Sequence, residues 1–281
     1  MVWEVKSRSD LTEEGWTSRA ITRAVRSGVV IRARQDRYVL GDPPCDLIKA
    51  IRIGGRLGCL SLLALLGVFV FEVRALHVHM ERGDSRMRSA TAPRKRLPPR
   101  GRRPGIVLHW RRLAVPAELG CVGIVDALIH SFLCQQPKHA LATLDSALNK
   151  GLIAGEQVKE VFASLPARFG VMMSFVDGRA QSGPESLVRL MVIHLGCTVD
   201  SQVEFDGVGR VDLVVDGWLV VECDSKAFHS SWDQQLTDYR RDLALAGMGY
   251  CVLRLTAADI MYDSDTVFES LRGILRSRRV G

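Results

Sequence analysis

The chain has 281 residues, enough for two or three compact units with a sizeable core, and its 47% apolar content excludes a disordered polymer. Seven cysteines (Cys45, Cys59, Cys121, Cys134, Cys197, Cys223 and Cys251) form an odd, scattered set without a C-x-x-C pair, which argues against a disulfide framework or a zinc knuckle and for a reducing cytoplasm. The net charge is +7, and Arg82 to Arg112 holds eleven Lys or Arg against only Asp84, so nucleic acid leads the partners, with a solvated basic loop as the plain alternative.

Asp10 to Gly15 predicts a short helix ended by glycine. Thr17 or Ser18 caps a second helix that reaches Ser27 and stops at Gly28. Ala20, Ile21, Ala24 and Val25 give this helix an apolar face, while Arg19, Arg23 and Arg26 point elsewhere. Val29 to Leu40 alternates apolar and basic residues around Gln35-Asp36, a β-hairpin that carries Arg32 and Arg34. Helix, turn, basic helix and basic hairpin is the order of a winged helix-turn-helix, whose second helix enters the major groove and whose wing lies on phosphates. A small structural cap with solvated arginines is the other reading.

Cys45 to Ile53 and Arg56 to Leu66 read as helices. Leu57 to Phe71 is apolar but shorter than the roughly 20 residues of a bilayer span, and too far along the chain for a signal peptide. It reads as a buried helix running into a strand, so no membrane association is expected. Ala75 to Met80 and Ile106 to Trp110 read as strands on either side of the basic, proline-rich segment. His77, His79 and His109 lie on them. With no carboxylate or cysteine nearby in sequence, they read as core or surface residues rather than a metal site. Val125 to Leu133, Lys138 to Leu148 and Gly155 to Leu165 read as helices, and no catalytic constellation is visible among them.

The run Ser18 to Gly28 followed by Tyr38-Val-Leu40 resembles the N-terminal domain of AbiEi-type antitoxins, except that only Met1 to Ser9 precede the first turn where that domain carries a further helix. The middle of the chain is similar to AbiEi-like actinobacterial proteins that join a winged helix to a C-terminal nuclease-like domain. The resemblance implies DNA binding through Arg19, Arg23, Arg26, Arg32 and Arg34. It also implies a setting in phage defence, with a toxin or other protein as a further partner.

From Gln181 the pattern changes. Ser182-Gly-Pro-Glu185 matches a capping box that opens a helix to His194 or Leu195. Val199 to Phe205, Arg210 to Val215 and Trp218 to Asp224 read as three strands, Trp232 to Ala246 as a helix, Tyr250 to Leu255 as a strand and Thr266 to Arg276 as a final helix. The expected fold is thus α+β and multidomain. It comprises a truncated winged helix-turn-helix over 1–41, an α/β middle region over 42–179 with its basic loop at 82–112, and an αβββαβα restriction-endonuclease-like core over 180–281.

Side chains alternate faces along a strand. A two-residue Asp216-Gly217 turn scatters the carboxylates. A three-residue Val215-Asp216-Gly217 loop sets Asp212 against Val220 and Arg210 against Glu222, and puts Val211, Leu213, Val215, Leu219, Val221 and Cys223 on one apolar face. Asp212, Glu222 and Asp224 then share the other face, where like charges call for a counter-cation such as Mg²⁺ or Mn²⁺ that activates water and stabilises a pentavalent phosphate. A surface ion-pair network with Arg210, Lys226, Arg240 or Arg241 is the alternative.

Asp212 and Glu222 carry the PD-(D/E)xK spacing, with Val211 in place of proline and Asp224 in place of lysine. Glu222 to His229 instead resembles the very-short-patch-repair (Vsr-like) branch of that superfamily, with Ser225 where glycine is usual. Ser182-x-x-Glu185, Arg210-Val-Asp212, Arg241-Asp242 and Gly249 to Arg254 extend the likeness. The resemblance implies a metal-dependent endonuclease, or a DNA-binding regulator whose nuclease fold no longer cuts. In the first case Asp212 and Glu222 are metal ligands, Asp224 is a third ligand or orients water, and Glu185 supports the ion. His229 is then a general acid or base, Lys226 replaces the missing lysine, and Arg241 contacts phosphate.

Overall fold

The computed structural model describes residues 3–224 and 232–279. Its contacts gather the chain into two units, Met1–Gln135 with Gly155–Gly170, and Gln136–Ala154 with Val171–Gly281. This division falls at other positions than the boundaries expected near 41 and 179. Within the first unit Arg34 is bonded to the carbonyls of Arg52, Ile53 and Arg86, and within the second a buried ion pair, described below, links a middle helix to the C-terminal part.

The first unit opens with β1 (Trp3–Lys6), α1 (Arg8–Glu13), α2 (Ser18–Arg26), β2 (Val30–Arg34) and β3 (Arg37–Gly41), and its strands form an antiparallel sheet in the order β1-β3-β2. Helix α1 begins two residues before Asp10 because Ser7 caps it. The Ser7 hydroxyl accepts from the Asp10 N–H at 3.1 Å, and the Asp10 carboxylate accepts from the Ser7 N–H at 2.8 Å. Thr17 caps α2 in the expected way. Leu11, Ile21, Ala24, Val30 and Tyr38 close the core of this segment, with Trp16, Val25 and Leu40 packed on it.

Next come α3 (Cys45–Ile53), β4 (Arg56–Leu57), α4 (Cys59–Leu65), β5 (Leu76–His79), β6 (Ile106–His109) and α5 (Ile124–Phe132). The helix expected from Arg56 starts only at Cys59. Leu57 is held as a strand instead, its N–H donating to the Gly120 carbonyl at 2.9 Å and its carbonyl accepting from Val122 at 3.0 Å. The small sheet runs β4-β5-β6, with β5 and β6 parallel. Gly55 permits the approach to β5, since a Cβ there would stand 2.2 Å from the His79 carbonyl oxygen. The helix α6 (Pro137–Asn149) belongs to the second unit and α7 (Gly155–Ser164) to the first. Phe132 of α5 meets the edges of Phe162 and Phe169, which ties the Gly155–Gly170 stretch to this unit.

The second unit continues with α8 (Gly183–His194), β7 (Val199–Phe205), β8 (Gly209–Val215), β9 (Leu219–Asp224), α9 (Trp232–Gly247), β10 (Cys251–Thr256), α10 (Ala257–Tyr262) and α11 (Ser264–Arg279). The sheet order is β10-β9-β8-β7, with β10 parallel to β9 and the other pairs antiparallel. Among the described residues, α10 is an element that the expected αβββαβα order lacks; its cap Thr256 accepts from the Asp259 N–H at 3.1 Å. Helix α6 packs on α8 through buried charge. Asp145 meets Arg189 at 2.9 Å and also accepts from the Ser186 hydroxyl and the Asp177 N–H. Burial lifts Asp145 to about 6 in spite of that guanidinium.

Candidate active site

The hairpin of β8 and β9 sets the site. Val215 pairs with Leu219, Val214 with Val220 and Leu213 with Val221, so the loop is Asp216-Gly217-Trp218 rather than Val215-Asp216-Gly217. Asp216, at φ 48°, anchors this turn, its carboxylate accepting from the Thr198 N–H at 2.8 Å. Trp218 is held in the loop beneath the Arg278 guanidinium, 4.5 Å from the ring centre. The register moves by an even number of residues, so the separation of faces survives. Val211, Leu213, Val215, Leu219, Val221 and Cys223 are all buried. The partners change. Continuing the pairing sets Asp212 across from Glu222, where Val220 was expected, and the Asp212 N–H donates to the Glu222 carboxylate at 3.3 Å.

Two further groups organise these carboxylates. The second Asp212 oxygen accepts from the Cys223 N–H at 2.8 Å. On the neighbouring strand, Ser201 pairs with Leu213 and Val203 with Val211, which leaves Gln202 opposite Asp212. Gln202 adopts φ 57°, unusual for a side-chain-bearing residue, and its amide nitrogen donates to Glu185 at 2.8 Å and to Asp212 at 3.2 Å. Glu185 stands at the start of α8, near the cap Ser182, and also accepts from the Gln181 N–H at 2.9 Å. A chain of contacts thus runs from Glu185 through Gln202 and Asp212 to Glu222. No sequence motif singles out Gln202. Its signal was a polar side chain on the strand beside Asp212, visible only once the β7–β8 register is known.

Desolvation, and then the charge of Asp212, push Glu222 up to about 7, and Arg241 at 3.5 Å only partly offsets them. Glu185 is raised for the same two reasons. Folded Glu222 therefore binds its proton more tightly than the unfolded chain does. The metal-free protein should lose stability as the pH rises from about 4.5 to about 7, by at most about 3 kcal/mol. Glu222→Gln should flatten this slope and raise the melting temperature at pH 8, measured in chelator at pH 5 and pH 8. Equal slopes in the two proteins would show that Glu222 titrates as an ordinary carboxylate.

The remaining expected site residues divide. Asp224 is half exposed and turned to Arg254 at 3.6 Å. Among the described residues, Asp212, Glu222 and Asp224 do not gather their oxygens within 4.8 Å of one another. Arg254 grips Asp242 more closely, at 2.7 Å. Arg241 is committed to protein groups, donating to the carbonyls of Val208 at 3.1 Å and Arg210 at 2.6 Å besides facing Glu222. Lys226 and His229 lie outside the described residues.

In the first unit, Arg19, Arg23, Arg26 and Arg32 are exposed, as are ten of the eleven cations of the basic segment, Arg103 being half-buried. Arg34 is not available in the same way. Its guanidinium donates to the carbonyls of Arg52 and Ile53, both at 3.0 Å, and of Arg86 at 2.7 Å, closing the C-terminal end of α3. His77, His79 and His109 are buried, and their rings stack in a row with His130 of α5. Burial holds His130 down at about 3 and lowers His79 as well.

Two carboxylates facing each other across one face of a short hairpin, Asp212 and the buried Glu222, are a donor set suited to a hard divalent cation. Residues 185–275, from α8 into α11, match the restriction-endonuclease-like family described as REase_MTES_1575. Over 257 residues the chain is 27% identical to "Uncharacterized protein MT2308" of Mycobacterium tuberculosis (strain CDC 1551 / Oshkosh), the match covering 84% of this chain and 89% of that one. The same figures hold for "Uncharacterized protein Rv2248" of Mycobacterium tuberculosis (strain ATCC 25618 / H37Rv). The C-terminal region thus has a nuclease-type fold of a kind that generally uses divalent metals, and DNA is the substrate such a family suggests. Among the described residues no helix is long and apolar enough to cross a membrane.

Proposed function

We propose that this protein is a DNA endonuclease that depends on Mg²⁺ or Mn²⁺, with its hydrolytic site at Asp212 and Glu222. The observation that carries this reading is their placement across β8 and β9, joined through Gln202 to Glu185, within the region that matches the nuclease family. Asp212 and Glu222 would hold the ion. When bound, the ion supplies a Lewis acid for the phosphodiester and lowers the pKa of water. The protein's own groups do the rest. Gln202 keeps Glu185 and Asp212 oriented together, and the Cys223 N–H fixes the second Asp212 oxygen. Arg241 steadies Glu222 and ties α9 to the β7–β8 turn through Val208 and to β8 through Arg210. Lys226 would stabilise the developing negative charge, and His229 would pass a proton to or from the reacting oxygens. Asp224, paired with Arg254, would orient the attacking water rather than bind the ion.

DNA binding would fall to the first unit. What supports a winged-helix reading is the succession of α1, the basic helix α2 and the β2–β3 hairpin, with Arg19, Arg23, Arg26 and Arg32 exposed on α2 and the hairpin. The exposed basic segment would add phosphate contacts. A non-cleaving regulator or antitoxin is the second reading, favoured by one observation: Asp224 stands where a lysine is expected and does not join the acidic pair.

Incubating supercoiled plasmid with the full chain in Mg²⁺ or Mn²⁺ tests the assignment. The enzyme yields nicked or linear DNA, whereas the regulator retards DNA without cutting it, and that result would overturn the hydrolytic reading. Binding in chelator tests the DNA-contacting face. Arg23→Ala should weaken affinity equally across sequences and lower the slope of log affinity against log salt by about 0.9. An unchanged slope would move the contact elsewhere.

A further inference from the structure

We propose that the first unit carries a structural zinc site built from Cys59, His77, His109 and Cys134, separate from the acidic pair of the second unit. The donor atoms of these four side chains all lie within 4.8 Å of one another. His77 Nδ1 is 3.0 Å from His109 Nε2, and Cys134 Sγ is 4.0 Å from the same nitrogen. A tetrahedral zinc ion, with bonds of about 2.3 Å to sulfur and 2.0–2.1 Å to nitrogen, needs donors separated by about 3.3–3.8 Å. The two separations at His109 Nε2, 3.0 Å and 4.0 Å, bracket that range.

The ligands come from four stretches that sequence spacing does not connect. Cys59 opens α4, His77 lies on β5, His109 ends β6, and Cys134 follows α5. Hydrogen bonds to the main chain of three of them hold it in place. The His77 N–H donates to the Ser61 hydroxyl at 2.9 Å, the His77 carbonyl accepts from Gly58 at 3.2 Å, the His109 carbonyl accepts from Met80 at 2.8 Å, and the Cys134 N–H donates to the Ser131 carbonyl at 3.0 Å. Cys59, whose thiol belongs to the cluster, takes φ 49°, a left-handed conformation uncommon outside glycine.

Two thiols and two imidazoles form a soft-to-borderline donor set, the S₂N₂ chemistry of zinc rather than magnesium. Cys59, His77 and His109 are buried, whereas Cys134 is exposed and gives an ion its way in. All four positions are filled by protein, so the site is closed, and its role is to clamp α4, β5, β6 and the end of α5 together.

The full chain, expressed with supplemental zinc and passed through a desalting column, should hold about one equivalent of zinc by elemental mass spectrometry. Replacement by Co²⁺ should give the intense visible absorption of a tetrahedral thiolate complex. Cys134→Ser, at the exposed ligand, should weaken zinc binding by more than about 100-fold, a loss that changes outside the ligand set can already reach. Its circular dichroism checks that the fold survives. Glu222→Gln should keep the zinc. Three results would each overturn the proposal: no cobalt spectrum in the wild-type protein, zinc lost from Glu222→Gln but kept by Cys134→Ser, or Cys59 and Cys134 joined as a disulfide in the metal-free product.

Discussion

Asp212→Asn should abolish cleavage in Mg²⁺, lowering the rate at least about 10³-fold, or about 4 kcal/mol of barrier. The substitution keeps the shape of the side chain. The asparagine oxygen still accepts from either the Cys223 N–H or the Gln202 amide, and the pairing of β7, β8 and β9 is untouched, so the hairpin has no reason to unfold. What disappears is the negative charge beside Glu222. That charge is a cause of the raised Glu222 pKa, so the variant also relieves repulsion and should melt no lower than wild type in chelator. Glu222→Gln should lose cleavage to a similar degree. Both variants should retain DNA with unchanged affinity, since the proposed contacts lie on α2 and the N-terminal hairpin. A time course of plasmid relaxation beside a gel-shift titration reads both quantities. Cleavage at the wild-type rate in either variant would place the chemistry elsewhere.

Asp145→Ala is expected to cost about 3–5 kcal/mol of stability, the usual loss when one partner of a buried ion pair is removed. Asp145 and Arg189 are both buried, and Arg189 also donates to the Phe175 carbonyl at 2.6 Å. Without Asp145 the guanidinium stays in a dry site with its charge uncompensated. The Ser186 hydroxyl and the Asp177 N–H lose their acceptor in the same step. Urea denaturation should show the loss. The paired change Asp145→Leu with Arg189→Met should recover much of it, since it removes both charges. A single variant within about 1 kcal/mol of wild type would show that water reaches the pair and screens it.

Strand phasing made the C-terminal unit readable. Alternating valines and leucines around Asp216-Gly217 assign an apolar face whichever three-residue loop is used, and so the acidic face came with it. The loop was one residue out because Trp218 looks like a strand residue. The Asp216 bonds to Thr198 and the stacking of Arg278 are tertiary, and they pull it into the turn. Gln202 was hidden for a related reason, since its role depends on a left-handed backbone that no local pattern announces. Arg34 reads as a wing cation by alternation, yet the free carbonyls at the end of α3 claim it. The Cys/His cluster was the least legible feature. Its cysteines stand 75 residues apart, and no ligand lies within a metal-motif spacing of another.

The assignment of α6 to one unit and α7 to the other has a practical consequence. The polypeptide passes between units at 135/136, 154/155 and 170/171, so no single cut separates them. A fragment beginning at Gln181 would keep the whole acidic pair but lack Asp145, and would expose the α8 surface that α6 covers. Such a truncation should aggregate or molt its tertiary order even though every residue around Asp212 is retained. Dissection of this chain calls for a circularly permuted or linker-bridged version, in which Gln136–Ala154 is rejoined directly to Val171.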